Sequence, residues 1–250
     1  MAKIVLEAPV YTVEAALLAA EYGVDRIELC ADYGEGGTTP GSGMLAFLKF
    51  RMAIPIFVMI RPRGGDFVYS VEELEVMKKE IDILKSFGAD GFVFGVLETN
   101  GKVHRESCSD LLERAGGLPC TFHRAIDASA NLEESLETII EVGFKRILTS
   151  GGKNSVSEGL EIIQHLLMQG KGRIIIMPGG GTAPGHLKDL YFTGFLSEIH
   201  ASCKAFRSSH SNHINPSLRL SGGGETANKV LTINKTVVES FHQEINRVSS

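Results

Sequence analysis

An α/β fold of the TIM-type (β/α)8 barrel class is predicted by three features of this 250-residue chain. Strand-like runs alternate with helical patterns as far as residue 201, which predicts a parallel sheet, and their count of eight predicts closure. Helices ahead of strands two, four, six and eight end on Gly23, Gly88, Gly143 and Gly194, spaced 65, 55 and 51 residues apart, about two βα units each. The run IPIFVMI over 54–60 is almost continuously apolar, as a strand buried on both faces must be. An open doubly wound sheet is the main rival, and the barrel is favoured.

The elements follow in order. Ile4–Ala8 is the first strand, and Thr12 caps a helix running to Tyr22. Arg26–Cys30 is the second strand, followed by a glycine-rich loop over Gly34–Pro40 and a short helix around Met44–Arg51. Ile54–Ile60 is the third strand. Ser70 then opens a long helix to Phe87, with Glu73 completing a capping box. Gly91–Gly95 is the fourth strand, followed by a hairpin expected at Asn100-Gly101 and a helix over Glu106–Ala115. Pro119–His123 and Arg146–Thr149 are strands five and six, each followed by a helix, Leu132–Val142 and Ser155–Gln169. Arg173–Met177 is strand seven, Pro184–Tyr191 a short helix, and Ser197–Ala201 strand eight. Residues 204–228 are rich in Ser, Asn and Gly and read as a long loop or ordered insertion; a helix over about 236–246 closes the ring. One domain, 1–250, is expected.

Composition narrows the function. The chain is 43% hydrophobic and 22% charged with net charge −5, so it is an ordinary globule without the basic footprint of a nucleic-acid binder. No apolar stretch is long enough to span a membrane, and no signal-peptide pattern opens the sequence. Cys30, Cys108, Cys120 and Cys203 are scattered, without a CxxC pair or a secreted framework, so a reducing, cytoplasmic location is expected.

In a barrel of this type, chemistry sits at the C-terminal ends of the strands. Those ends read Glu7; Glu28 and Cys30; Arg61 and Arg63; Gly95; His123-Arg124; Thr149-Ser150-Gly151; Pro178-Gly179-Gly180-Gly181; and His200 with Ser202. Nearly all are polar, cationic or glycine. Side chains alternate along a strand, so Glu28 shares a face with Cys30, Arg61 with Arg63, Thr121 with His123, and His200 with Ser202. Such a set can hold an anion on arginine and move protons with imidazole or carboxylate. The alternative is a structural network in which Glu28 pairs with Arg61 to neutralise buried charge. Glycines 179–181 follow strand seven, where barrels often bind phosphate on backbone N–H groups, although a tight turn also needs glycine there. Cys30 and Met59 offer thiol and thioether donors of the kind that suit Cu(I), yet a lone buried cysteine is most often a small hydrophobe.

Six motifs, RIELC (26–30), EGGTTP (35–40), IRPRGGDF (60–67), TFHRAID (121–127), LTSGG (148–152) and MPGGG (177–181), resemble those of the CutC family, named for copper homeostasis, in both order and spacing. The resemblance runs from residue 4 to about residue 207. It implies a single-domain TIM-type barrel, cytoplasmic and assembled as a homo-oligomer (dimer or tetramer), with a copper-linked role and Cu(I) on cysteine, Cys30 being the best-placed thiol. Glu28, Arg61, Arg63, Asp66, His123, Arg124 and Asp127 stand where the motifs have them.

Two functions therefore compete. One is a cytoplasmic copper-homeostasis protein holding Cu(I) through Cys30. The other is a barrel enzyme doing acid/base chemistry on a small phosphorylated or carboxylated metabolite, with Glu28, His123, Arg124 and Asp127 as its catalytic candidates. Its anion- and ligand-binding candidates are Arg61, Arg63, Thr149, Ser150, Gly179, Gly180, Gly181, His200 and Ser202. Neither involves nucleic acid or a membrane.

Overall fold

A computed structural model describes residues 3–213, 215, 217 and 228–249. Eight parallel strands, β1 (Val5–Val10), β2 (Arg26–Leu29), β3 (Ile56–Met59), β4 (Gly91–Phe94), β5 (Cys120–Phe122), β6 (Arg146–Thr149), β7 (Ile175–Pro178) and β8 (Glu198–His200), run in the order β7-β6-β5-β4-β3-β2-β1-β8. Strands β7 and β8 meet without a hydrogen-bonded ladder. Side chains close the ring there, with Arg26 reaching both Met177 on β7 and Glu198 on β8. Helices α1 (Val13–Glu21), α2 (Ser42–Lys49), α3 (Val71–Ser86), α4 (Arg105–Ala115), α5 (Leu132–Val142), α6 (Val156–Gly170), α7 (Leu187–Tyr191) and α8 (Lys235–Ser249) alternate with the strands. The fold is the TIM-type barrel that the alternation predicts.

Local chemistry sets the boundaries. Thr12 caps α1 by accepting from the Ala15 N–H, and Ser70 with Glu73 forms the reciprocal capping box of α3. Gly23, Gly88, Gly143 and Gly194 all have positive φ, +92°, +87°, +107° and +77°, so each lets the chain leave its helix in a conformation disfavoured for other residues. Among the described residues no helix is long and apolar enough to cross a membrane.

Strand parity sorts the core into two shells. Outward residues such as Leu6, Ile27, Val58, Phe92 and Phe122 pack beneath the helices in one large apolar cluster. The interior is different. Cys30, Phe57, Met59 and Val93 form a small second cluster, surrounded by buried Glu7, Arg26, Glu28, Thr121, Arg146, Glu198 and His200. Phe57 lies 4.7 Å from the Arg26 guanidinium and 4.8 Å from that of Arg146, and both arginines bind Glu198. This charged layer fills the lower barrel.

The segment after β8 differs from a plain loop. Residues Lys204–Ser208 form β9, which pairs antiparallel with β10 (Lys229–Ile233). This hairpin leans on α1 through Arg207 and Glu14, and on the turn after β2 through Lys204 and Tyr33. The rest of the 204–228 expectation, including the triplet at 222–224, falls mostly outside the described residues. The closing helix α8 runs from Lys235 to Ser249, longer than the 236–246 expected.

Candidate functional site

The mouth of the barrel is built by the segments that follow β2, β3, β5 and β6. A cavity of about 480 Å³ opens there, lined among others by Glu35, Arg61, Phe67, Arg124 and Lys153. Arg61 and Arg124 thus face one space. Glu28, Cys30 and His200 lie inside the barrel, all buried.

Arg61 is fixed by backbone carbonyls rather than by a carboxylate. Its Nη1 donates to Glu35 O (2.6 Å) and Gly37 O (3.0 Å), and its Nη2 to Gly65 O (2.8 Å). The Glu28–Arg61 pair of the alternative, structural reading does not form. Instead the Cys30 thiol donates to Glu28 Oε2 over 3.6 Å, and Oε1 has no partner. Nε of Arg61 is also buried without an acceptor. The guanidinium sits 5.1 Å from the Phe67 ring centroid, and the imidazole of His123 packs on the same ring at 4.8 Å.

His123 is held by its neighbours. The Ala125 N–H donates to Nδ1 over 3.3 Å, and Gly95 makes room for the ring, since a Cβ there would lie 2.8 Å from Nδ1. Burial, reinforced by the Arg61 charge, depresses its pKa to about 3, so the ring is neutral. Nε2 is buried and unpartnered.

Inside the barrel, Glu7 joins β1 to its neighbours. Its Oε2 accepts from Arg26 Nε (2.5 Å), and its Oε1 lies 2.9 Å from His200 Nδ1. Burial favours a neutral Glu7, but Arg26 and His200 outweigh it and draw the pKa down to about 2. Glu28 lacks such a cation in contact, and burial lifts it to about 7. Burial disfavours charge on His200, yet the carboxylates of Glu28 and Glu7 overcome this and raise its pKa.

Other expected residues serve the frame. Arg63 turns out of the mouth, binding Glu73 (2.6 Å) and Val68 O (2.8 Å), so it does not share Arg61's role. The parity rule fails there because β3 ends at Met59 and Pro62 redirects the chain. Asp127 ties two loops together, accepting from Thr149 Oγ1 (2.5 Å), the N–H groups of Ser150 and Gly152, and Arg124 Nε. Thr149 and Ser150 are thereby held by Asp127. Gly179 donates to Thr149 O and packs on Leu148 and His200; Gly180 accepts from Val156 N–H and lies against Arg124. Gly181 lies near Ser155, where a Cβ would meet its side chain at 3.5 Å. Ser202 is exposed and borders a separate crevice with Tyr11 and Lys204. Sequence reasoning does not single out Phe67, although it closes the IRPRGGDF motif, and it gives Glu7 no role beyond a strand end.

The CutC family model matches residues 4–205. The chain belongs to the CutC family. The human copper homeostasis protein cutC homolog is 46% identical over 215 residues, 86% of this chain and 79% of its own. A CutC family protein of Agrobacterium fabrum is 38% identical over 241 residues, 96% of each chain. The crystal structure of a Streptococcus agalactiae CutC superposes with a TM-score of 0.73 at 30% identity, covering 80% of this chain and 98% of that one. An aldolase structure, QR15, at 17% identity and a TM-score of 0.59, shows the barrel fold alone.

Copper homeostasis is the family's name, so the thiols bear on it directly. Cys108 lies on α4 near Val96 O, Cys120 packs outward on β5, and Cys203 follows β8; only Cys30 faces the barrel interior. Burial first, then Glu28, keeps the Cys30 thiol protonated by raising its pKa well above the usual thiol range. One protonated thiol, with no second thiol beside it in the interior cluster, fits Cu(I) poorly.

Proposed function

We propose that this CutC family barrel acts on a small carboxylated or phosphorylated metabolite by acid/base chemistry, receiving an anionic oxygen between Arg61 and His123. The observation that carries this is a pair of orphaned donors. Because Ala125 N–H occupies Nδ1 of a neutral His123, the ring proton resides on Nε2. That N–H and Arg61 Nε–H are both buried without an acceptor, against one face-lining residue, Phe67. Each such group costs about 1–3 kcal/mol when left unmade. Two of them at the expected mouth of a barrel support an acceptor that arrives with the ligand. Chemically, a guanidinium and a neutral imidazole N–H stabilise negative charge developing on a carbonyl, carboxylate or phosphoryl oxygen.

Thermal unfolding in the presence of inorganic phosphate and a panel of small carboxylates tests this. A ligand that occupies the mouth raises the melting temperature by mass action, and Arg61→Ala abolishes the rise. An unmoved melting temperature across the panel would sink the proposal.

Cu(I) binding through Cys30 has one observation in its favour. A Cβ on Gly37 would lie 3.3 Å from Cys30 Sγ and 3.6 Å from Met59 Cε, so a thiol and a thioether share one corner. Titration of Cu(I) against a competing chelator, with wild type beside Cys30→Ala, separates the cases: equal affinity removes Cys30 as a ligand. Cytoplasmic residence and homo-oligomer assembly belong to the same proposal, supported by four free cysteines and by exposed Phe50 and Phe192.

A further inference from the structure

We infer that Glu7, Glu28 and His200 form a site for a divalent transition-metal ion beneath the mouth, built on carboxylate and imidazole rather than on thiolate. The three residues come from β1, β2 and β8, consecutive in the ring, and offer ligand atoms that all lie within 4.8 Å of one another. All are buried, Glu7 to 0%, Glu28 to 3% and His200 to 8% exposure.

Proximity of acids is a weak argument by itself, and a second observation supplies the rest. Glu28 Oε1 is a buried carboxylate oxygen with no hydrogen-bond donor, whereas the neighbouring carboxylates of Glu7 and Glu198 are each bound by arginine. A buried carboxylate is ordinarily paired or coordinates a metal. The geometry of His200 agrees. Its Nδ1 lies 2.9 Å from Glu7 Oε1, so the inferred site takes Nε2 as the ring's ligand atom. A carboxylate that fixes the far nitrogen of an imidazole is the usual support of a metal-bound histidine. Glu7, held also by Arg26, therefore contributes mainly charge and orientation, while Glu28 and His200 are the direct ligands. Two direct protein ligands leave coordination positions open to water or a bound molecule.

The donor chemistry selects the ion. Oxygen and imidazole nitrogen suit Zn²⁺, Mn²⁺, Fe²⁺ or Co²⁺, and lack the sulfur that Cu(I) prefers. This goes beyond the anion-binding proposal and does not need it, because neither Arg61 nor His123 is a ligand.

Tag-free full-length protein, stripped with chelator, is titrated with Co²⁺ as a spectroscopic probe and with Zn²⁺ by calorimetry. One equivalent is expected to bind, with cobalt absorption of a low-symmetry protein site. Glu28→Gln and His200→Ala abolish it, Glu7→Gln weakens it about 10- to 100-fold, and Cys30→Ser keeps it. Circular dichroism and thermal melts of the same variants separate lost ligands from lost fold, and Glu28→Gln removes no ion pair, so it is the decisive variant. Absence of stoichiometric binding overturns the inference. So does binding that survives Glu28→Gln, or a sulfur-to-cobalt charge-transfer band that vanishes in Cys30→Ser. Phosphate melts run in parallel show whether the anion proposal fails separately.

Discussion

Glu7 and Arg26 are direct partners across the β1–β2 ladder, and their side chains close a buried ion pair with Arg26 Nε 2.5 Å from Glu7 Oε2. The same guanidinium also binds Glu198 and lies against Phe57, so one β2 side chain reaches β1, β8 and β3 inside the barrel. Arg26→Met leaves Glu7 without its cation in a buried setting, and a loss of about 3–5 kcal/mol is expected. Urea denaturation measures it; a loss below 1 kcal/mol or so would mean the pair is not a keystone of the barrel.

Arg61 and Arg63 stand two residues apart but have opposite fates. Arg61→Ala removes a donor from the mouth and is expected to eliminate any phosphate- or carboxylate-dependent rise in melting temperature. Arg63→Ala breaks a half-exposed pair with Glu73 and loosens the start of α3, at a cost of about 1 kcal/mol or less. The ligand response of Arg63→Ala should match wild type. Equal loss in both variants would contradict the assignment of the mouth to Arg61.

Gly95→Ala tests the seat of His123 without touching it. The new methyl would sit 2.8 Å from Nδ1 and 3.0 Å from the tip of Phe122, so the imidazole must move and give up the Ala125 N–H. Overpacking of this kind costs about 1–3 kcal/mol. Ligand melts should show a folded protein with a weakened anion response, and an undiminished response would place the donor pair elsewhere.

His123 also predicts a pH dependence with a definite sign. The folded ring titrates near 3 because burial and Arg61 disfavour its charge, while the unfolded ring titrates near its ordinary value of 6.5. Between these values the unfolded chain binds a proton that the folded one refuses. Stability is therefore complete above pH 6.5 and falls as the pH drops toward 3, by up to about 1.4 kcal/mol per pH unit from this residue. Chemical denaturation at pH 7 and pH 5 should show a smaller drop in His123→Gln than in wild type. Parallel drops would mean His123 is not the group responsible.

Much of the barrel is legible in local patterns. Helix-ending glycines work through a single backbone angle, so Gly23, Gly88, Gly143 and Gly194 announce themselves without knowledge of any partner. Buried parallel strands likewise need only an apolar run. Side-chain partnerships are another matter. Glu28 and Arg61 look complementary in sequence, but the loop carrying Glu35 and Gly37 presents carbonyls to Arg61 first, and Cys30 takes Glu28. Asp127 resembles a catalytic acid until five neighbouring donors are seen to occupy it. The β9–β10 hairpin escapes notice because Lys204 and Ile233 pair across a long polar stretch whose composition reads as loop.

The layer of Arg26, Arg146, Glu198 and Phe57 has a consequence for traffic. It stoppers the lower end of the tube with interlocked charge, so a small molecule has no through route along the barrel axis. Whatever enters past Phe67 must leave by the same doorway. For the ligand proposed above, entry and release then share one passage, and a competing anion at the entrance would slow arrival and departure alike.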